Sequence, residues 1–599
     1  MASPHFSTII FDQAKKYGER PAFFWRSATE WHPQSWQAFA EETRKCALSL
    51  IHYGIQTQQT VGIYAQNMPE NFYIDYANYA IRAISVPLFA TTSVSQLTYI
   101  LNDANVNLLF VGEAAQFKNA LEALPNIPSL KLIVVIDPSV TIEDQQPAIS
   151  YQEFITTYHR PEAKSELAQR QQTANEEDLA LIMYTSGTTG EPKGVMLKHS
   201  SFIEAMRIHD EAVPYFTEAD RSVAFLPLSH IFERAWCYYC FYKGAQVYIN
   251  LRPQEIQTAL KEIRPTAMCS VPRFWEKVYQ GVKEHLDHFS PAMKGIVVWA
   301  VALGEIYHLN YLRLGKKPPF WLKFRYQLVD RFIFSKVKKT VGIEKGNIFP
   351  VAGAALDDSI TVFFRSMGIP IVIGYGLTET TASVSCFRQT NYKIGTIGKP
   401  MLDVQLRIGE DHEIQVKGKT VMAGYYNKPE ATAAAFVDGW FKTGDAGKID
   451  AEGNVILIER IKDLFKTSNG KYIAPQQLEM KLGSDKHIEQ VAVIGDQRNY
   501  VTAIIAPNME TVHQLADQHG ITFQLEDELL EHPLVNDFYR NLIDQLQQDM
   551  ASYEKIKKFT LIKKAFSIET GELTSTLKLR RAIIQQNYHL QIEAMYQRS

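Results

Sequence analysis

The sequence predicts an α/β fold in which a large multi-sheet N-terminal domain precedes a small α+β C-terminal domain. Three observations carry this. Short apolar runs of strand length recur, among them 61-VGIYA-65, 108-LLFVG-112, 132-LIVVI-136, 245-AQVYI-249 and 371-IVIGYG-376. Between them lie stretches with helical apolar spacing, such as 35-SWQAFAEETRKCALSLIHYG-54 and 255-EIQTALKEIRP-265, and that alternation is the signature of mostly parallel sheets. At 599 residues, the chain also exceeds what one hydrophobic core organises, so at least two domains are expected.

Taken in order, the N-terminal stretch MASPHFSTIIFDQAKKYGERPAF lacks a basic segment followed by an apolar core, so no secretion signal is expected. The polar, Gln/Glu/Thr-rich segment 137–178 reads as a surface excursion. The run 179-LALIMY-184 reads as a strand entering a glycine-rich loop. The longest apolar stretch, 295-GIVVWAVALGEIYHL-309, is interrupted by Glu305 and His308, short of the roughly 20 residues a membrane span needs. Near residue 460 the texture changes. The stretch 443-TGDAGKIDAEGNVILIERIKD-463 reads as a β meander with Gly/Asp turns, followed by shorter strands at 490-QVAVIGD-496 and 502-TAIIAPN-508. A boundary there gives domains 1–459 and 460–599.

A hydrophobic content of 46% with 21% charged residues describes an ordinary folded protein, and a net charge of −3 speaks against a nucleic-acid binder that relies on bulk positive charge. Five cysteines suit a reducing compartment. A cytoplasmic location is expected, with attachment to the inner face of the membrane as the alternative.

The stretch 184-YTSGTTGEPKGV-195 gathers glycines, hydroxyls and one lysine. Glycines allow close backbone approach, so successive N–H groups form an anion-binding nest. Thr185, Ser186, Thr188 and Thr189 add donors, and Lys193 adds a mobile charge. The bland alternative is a polar turn between strand and helix. A nucleoside-triphosphatase P-loop needs Gly, four residues, then Gly-Lys-Ser/Thr. Counting from Gly187, the sixth position is Pro192, and Gly194 follows Lys193, so that class is excluded.

The order Y-T-S-G-T-T-G-x-P-K-G-V resembles the phosphate loop of the adenylate-forming (AMP-binding) superfamily, which includes acyl-CoA ligases, adenylation domains and luciferases. Further blocks resemble that family's motifs in the family's order. These are 352-AGAAL-356 and 374-GYGLTET-380 (adenine and nucleotide), 440-WFKTGD-445 (ribose), 459-ERIKDLFKTSNGKYIAPQQLE-479 (hinge and following loop) and 571-GELTSTLKLRR-581 (C-terminal lysine). The resemblance implies an acyl-CoA synthetase/luciferase-like fold with a mobile C-terminal domain, and chemistry with ATP, Mg²⁺ and CoA.

It also implies residue roles. The loop from Thr185 through Ser186, Gly187, Thr188, Thr189 and Gly190 to Lys193 would hold the β- and γ-phosphates. Gly353 and Ala354 would lie beside adenine, with Gly374 and Gly376 flanking Tyr375, which would stack on the base. Thr378 would contact the α-phosphate, Glu379 would ligate Mg²⁺, and Asp445 with Arg460 would hold the ribose hydroxyls. Lys578 would reach the α-phosphate and the substrate carboxylate, and Lys462 would be the hinge between two half-reactions.

Thr576-Leu577-Lys578, where small-acid ligases carry Ser-Gly-Lys, resembles the long-chain fatty acid branch, as do 226-LPLSHIFERA-235 and 271-VPRFWEKVYQG-281. His230 and Phe232 would lie near the acyl and nucleotide sites. Trp236 is either a wall of an acyl tunnel or a core tryptophan. The reading is a long-chain fatty acid–CoA ligase. An acyl carrier protein ligase or acyl-AMP ligase, a luciferase-like monooxygenase and a binding protein without catalysis are the rivals, the last opposed by Glu379, Asp445, Arg460 and Lys578. The expected partners are fatty acid, ATP and CoA, with monomer and homodimer both open. The Cys237/Cys240 pair lies in 235-AWCYYCFY-242, whose apolar setting favours core packing over metal binding. The segment 312–342 carries nine Lys/Arg against Asp330 alone, interleaved with aromatics. It is a candidate for peripheral membrane attachment, or else a surface helix whose aromatics face the core.

Overall fold

Parallel strands are covered on both faces, so their residues are apolar without alternation, and the centre of this protein shows it. In the computed structural model, which describes residues 6–27, 30–157, 161–185, 191–467, 472–548, 550–567, 569–573 and 579–597, strands Thr60–Tyr64, Ile84–Leu88 and Leu108–Val111 are buried at every position. They form the middle of an eight-stranded sheet ordered 424–425, 193–198, 179–185, 84–88, 60–64, 108–111, 132–135, 148–150. All neighbours are parallel except the first two pairs. Helix Pro69–Ala80 lies against it, and Trp36–His52, capped by the Ser35 hydroxyl accepting from Ala38 N–H, packs on that helix.

A second sheet, with Arg221–Ala224 and Gln246–Ile249 at its parallel end, is bridged through Ala267 and Ser270 to the parallel pair Phe349–Val351 and Ile371–Tyr375. An antiparallel five-stranded sheet follows, whose last hairpin joins Trp440–Ile449 to Val455–Arg460. This is the meander expected from the sequence. Its turn closes on Asp450, whose carboxylate accepts from the N–H groups of Glu452 and Asn454 at 2.9 Å each. Beyond it, Ile488–Ile494, Val501–Pro507 and Ile556–Leu561 make a three-stranded sheet.

Two expectations need correction. Segment 137–178 is not a plain surface excursion. Strand Ala148–Ser150 closes the edge of the large sheet, and Tyr151, Phe154 and Ile155 enter the core. Its polar composition hides a few apolar anchors at helical spacing. The apolar stretch 295–309 also belongs to a longer continuous helical run, Pro291–Leu314, of 24 residues.

Among the described residues, the buried apolar clusters fall into two sets, one drawn from residues up to 457 and the other from 465 onward. Between them the buried Glu459 spans the junction. Its carboxylate accepts from Arg460 N–H at 3.0 Å and from Gln476 N–H at 2.9 Å, the latter in the first turn of helix Pro475–Gly483. Burial pushes its carboxyl up to about 7, against the pull of both N–H groups. A carboxyl raised in the folded state binds its proton more tightly there, so stability falls as pH rises from about 4.5 towards 7, at no more than about 1.4 kcal/mol per unit. In thermal melts across that window, Glu459→Gln should show a shallower fall in midpoint than the unmodified protein. An unchanged slope would assign the dependence to another group.

Candidate active site

The motif residues converge where strands of different sheets end. Phe349–Val351 and Ile371–Tyr375 run parallel, with Val351 opposite Ile373, so Gly353/Ala354 and Tyr375/Gly376 leave adjacent carboxyl ends, the usual ligand-binding edge of an α/β sheet. Gly353 and Ala354 are exposed, and Gly353 holds φ +91°. A side chain on Gly376 would meet the Ala382 backbone at 2.3 Å, whereas Gly374 has nothing closer than Ser385 O at 3.7 Å. Gly376 therefore permits the turn Thr378–Thr380 to fold back, helped by Thr381 and Ala382 in the left-handed region.

Asp445 is the pivot. It is buried and lies directly opposite Arg460 in the hairpin. Oδ2 accepts from the Tyr375 hydroxyl at 2.5 Å, and Oδ1 pairs with Arg460 Nε at 3.0 Å. Burial and then the Asp445 charge push the Tyr375 hydroxyl well up, so it stays a donor. For Arg460, burial disfavours the charge, but Asp445, together with Tyr375, Glu379 and Asp463, more than restores it. The Asp445 N–H is held by the Thr443 hydroxyl at 3.1 Å. Two engaged contacts leave a carboxylate with lone pairs for further donors.

A second chain of contacts starts at Glu379. Its Oε1 accepts from the Tyr425 hydroxyl at 3.0 Å, and the Tyr425 ring lies 5.0 Å from the Lys193 ammonium, a cation–π contact. Tyr425 is held beside Lys193 because strand Gly424–Tyr425 pairs with Lys193–Lys198, Tyr425 opposite Val195. The charges of Glu379 and Asp445 both act on Arg460, so the two chains form one site.

The glycine-rich loop joins two antiparallel strands, Leu179–Thr185 and Lys193–Lys198, with Thr185 opposite Lys193. It does not run from strand to helix, since the helix starts only at His199. Ser186, Gly187, Thr188, Thr189 and Gly190 lie outside the described residues, as does Lys578 with Thr576 and Leu577. Thr378 opens the short turn that carries Glu379, and Lys462 sits in the turn Ile461–Asp463 immediately after Arg460.

His230 caps helix Ile231–Lys243, its Nδ1 accepting from Phe232 N–H at 3.2 Å, and Phe232 is half-buried. Trp236 is a core tryptophan. It is buried, donates to the Ser222 hydroxyl at 2.9 Å and packs on Phe216 and Tyr239. Cys237 and Cys240 are buried thiols of the same helix, and among the described residues no cluster of three or more His, Cys, Asp or Glu is placed to hold a metal. Sequence reasoning missed Tyr425, whose only signal is its spatial pairing. It also missed the buried Arg234–Asp75 pair, closed by Tyr238 donating to Asp75 at 2.7 Å, which anchors the helix bearing His230.

A family model for AMP-binding enzymes matches residues 10–426, and one for the AMP-binding enzyme C-terminal domain matches 462–599. The chain belongs to the AMP-binding enzyme family. It is 30% identical over 567 residues to the long-chain-fatty-acid–CoA ligase FadD15 of Mycobacterium bovis, covering 93% of this chain and 91% of that protein. It is 29% identical over 634 residues to long chain acyl-CoA synthetase 1 of Arabidopsis thaliana, covering 98% and 92%. The adenylation domain of a carboxylate reductase from Mycobacterium chelonae superposes with a TM-score of 0.75 at 21% identity, covering 100% of this chain and 92% of that one, a likeness of fold.

For an AMP-binding enzyme the two glycines separate a folding role from a binding one. Gly376→Ala should lower the thermal midpoint and abolish AMP binding in calorimetric titration, because backbone blocks the added methyl. Gly374→Ala should keep the midpoint within about 1 °C, as expected for a change of a few tenths of a kcal/mol, yet weaken AMP binding. A normal AMP affinity in Gly374→Ala would remove Gly374 from the nucleotide site.

Proposed function

We propose that this AMP-binding enzyme is a long-chain fatty acid–CoA ligase, working through an acyl-adenylate. The observation that carries the reading is the juxtaposition of the Tyr375–Asp445–Arg460 clamp with the Glu379–Tyr425–Lys193 chain. The first offers a fixed carboxylate for ribose hydroxyls. The second sets a cation and a carboxylate side by side where the phosphates would lie. Relatives named as a long-chain-fatty-acid–CoA ligase and a long chain acyl-CoA synthetase, matching over nearly the whole chain, support the acyl class and CoA as acceptor.

In the first half-reaction a carboxylate oxygen of the acid bonds to the α-phosphorus and pyrophosphate leaves. The reactants are anions, so catalysis is chiefly positioning and charge stabilisation. Lys193 would attend the departing pyrophosphate and Lys578 the bond being made. Glu379 fits a hard divalent cation: its side chain is half-buried, Tyr425 engages Oε1, and Oε2 has no hydrogen-bond partner among the described residues. Bound there, Mg²⁺ would neutralise phosphate charge. In the second half-reaction the CoA sulfur bonds to the acyl carbonyl carbon, AMP leaves and the thiol proton is released. Each methylene of the acid buried in an apolar tunnel would contribute about 0.8 kcal/mol.

The change of acceptor calls for movement of the C-terminal domain about Lys462. In support, the apolar cores lie on either side of that turn, and polar contacts such as Arg273–Glu489 and Lys486–Asp287, 2.6 Å each, link the two parts. Partly exposed pairs of this kind contribute at most about 1 kcal/mol each, so opening is cheap.

Pyrophosphate measured with ATP, Mg²⁺ and acids of graded length should require CoA for turnover and favour long chains. Turnover with acyl carrier protein but not CoA would overturn the reading. Lys578→Ala should lose adenylate formation by orders of magnitude while still transferring a supplied acyl-adenylate to CoA. Lys462→Pro should show the reverse in stopped-flow measurements, and retention of both steps would dismiss the hinge.

A further inference from the structure

We infer that the helical layer 291–339 docks this protein, in the plane of the surface, on an anionic lipid bilayer. Val298, Trp299, Phe320, Trp321, Phe324 and Phe332 are each more than half exposed, Phe320 at 84%. Exposed large apolar side chains on this scale mark an interaction surface. The aromatics of 312–342 thus divide. Tyr326, with Leu322 and Val329, faces the core, whereas Phe320, Trp321 and Phe324 recur at helical spacing on the opposite side. The surface also extends beyond that segment. The helical run Pro291–Leu314 lies beside Phe320–Val329, joined by Tyr307 stacked on Tyr326 at 4.2 Å, and its Met293, Ile296, Val298 and Trp299 are exposed as well.

Charge complementarity identifies the occupant. Lys316, Lys317, Lys323, Arg325, Arg331 and Lys339 are exposed around the aromatics, and Arg325 lies over the Trp321 ring. The acid of 312–342, Asp330, is taken by Lys338 at 2.7 Å. Along 291–311 the charges are Glu305, exposed, and Lys294, paired with Asp287 at 3.4 Å. Basic side chains rimming large apolar ones match a surface of anionic headgroups over acyl chains, whereas a second copy of this face would set like charges against one another.

The geometry also decides between lying on the membrane and crossing it. The run Pro291–Leu314 is long enough, and over 18 of its residues apolar enough, to span. Its Val297, Ala300, Leu303 and Gly304 are nevertheless buried in the protein, and a side chain at Gly304 would meet Ser366 O at 2.1 Å. A helix seated this way on helix Asp358–Ser366 has one face left for lipid. Delivery of membrane-dissolved fatty acid to the site is a consequence that rests on the proposed ligase activity; the docking itself does not.

The test is flotation of the full chain with vesicles of phosphatidylcholine alone or mixed with phosphatidylglycerol, beside light-scattering mass measurement and AMP binding. Binding should require the anionic lipid and weaken at high salt. The triple variants F320S/W321S/F324S and K316E/K317E/K323E should each lose affinity by on the order of tenfold or more and keep wild-type AMP affinity. Absence of flotation with anionic vesicles, flotation unchanged in both variants, a dimer that the aromatic variant dissolves, or resistance to alkaline carbonate extraction (a spanning helix) would each overturn the proposal. AMP affinity and ligase turnover on a water-soluble acid report on the ligase reading separately.

Discussion

The site depends on one buried carboxylate. Asp445 is excluded from water, and an ionised carboxylate in that position is tolerated only when donors hold both its oxygens. Tyr375 and Arg460 hold them, arriving from a parallel strand end and from the far strand of a hairpin. Bonds to a charged group contribute roughly 1.5–3 kcal/mol each, and the Arg460 contact less, since 34% of that side chain meets water. The motifs carrying Tyr375 and Asp445, which lie 70 residues apart in sequence, are thereby locked into one arrangement. Arg460 is also the last residue of the hairpin before the turn that carries Lys462, so the same contact fixes where the C-terminal part begins.

Around that pivot the backbone is bent by residues chosen for what they lack. Gly376 has no side chain to strike Ala382, so the Thr378–Thr380 turn can present Glu379 beside Tyr425. Tyr425 then relates Glu379 to Lys193 although none of the three is near another in sequence. Burial and the Glu379 charge keep its hydroxyl protonated, which holds the carboxylate in place without consuming both oxygens.

The layer 291–339 follows a different logic. There the apolar residues outnumber the positions that face the core, and the surplus is ringed by cations. A helix with one face fixed by Gly304 against Ser366 cannot bury the other within the same molecule. Neither length nor hydropathy of the run distinguishes a span from a surface helix; the seating of one face does.

Much of the fold was legible in the sequence because parallel strands, buried on both faces, write themselves as uninterrupted apolar runs. The expected strands at 61–65, 108–112, 132–136 and 371–376 stand within a residue or so at Thr60–Tyr64, Leu108–Val111, Leu132–Val135 and Ile371–Tyr375. Family membership was legible for a related reason: phosphate and ribose recognition needs particular residue types at short fixed spacing. Contacts between distant segments leave no such trace. Nothing local to Tyr425, Asp75 or Arg234 announces a partner, Trp236 reads equally as tunnel wall or core, and the edge strand Ala148–Ser150 hides in a polar stretch. The sequence by itself determined the α/β class and the family, since the first rests on local periodicity and the second on residue types at short fixed spacing. Only the tertiary structure decided which groups share a charge, which aromatics face water and which helix face is spent on the core, because those depend on distances between segments that the chain order does not contain.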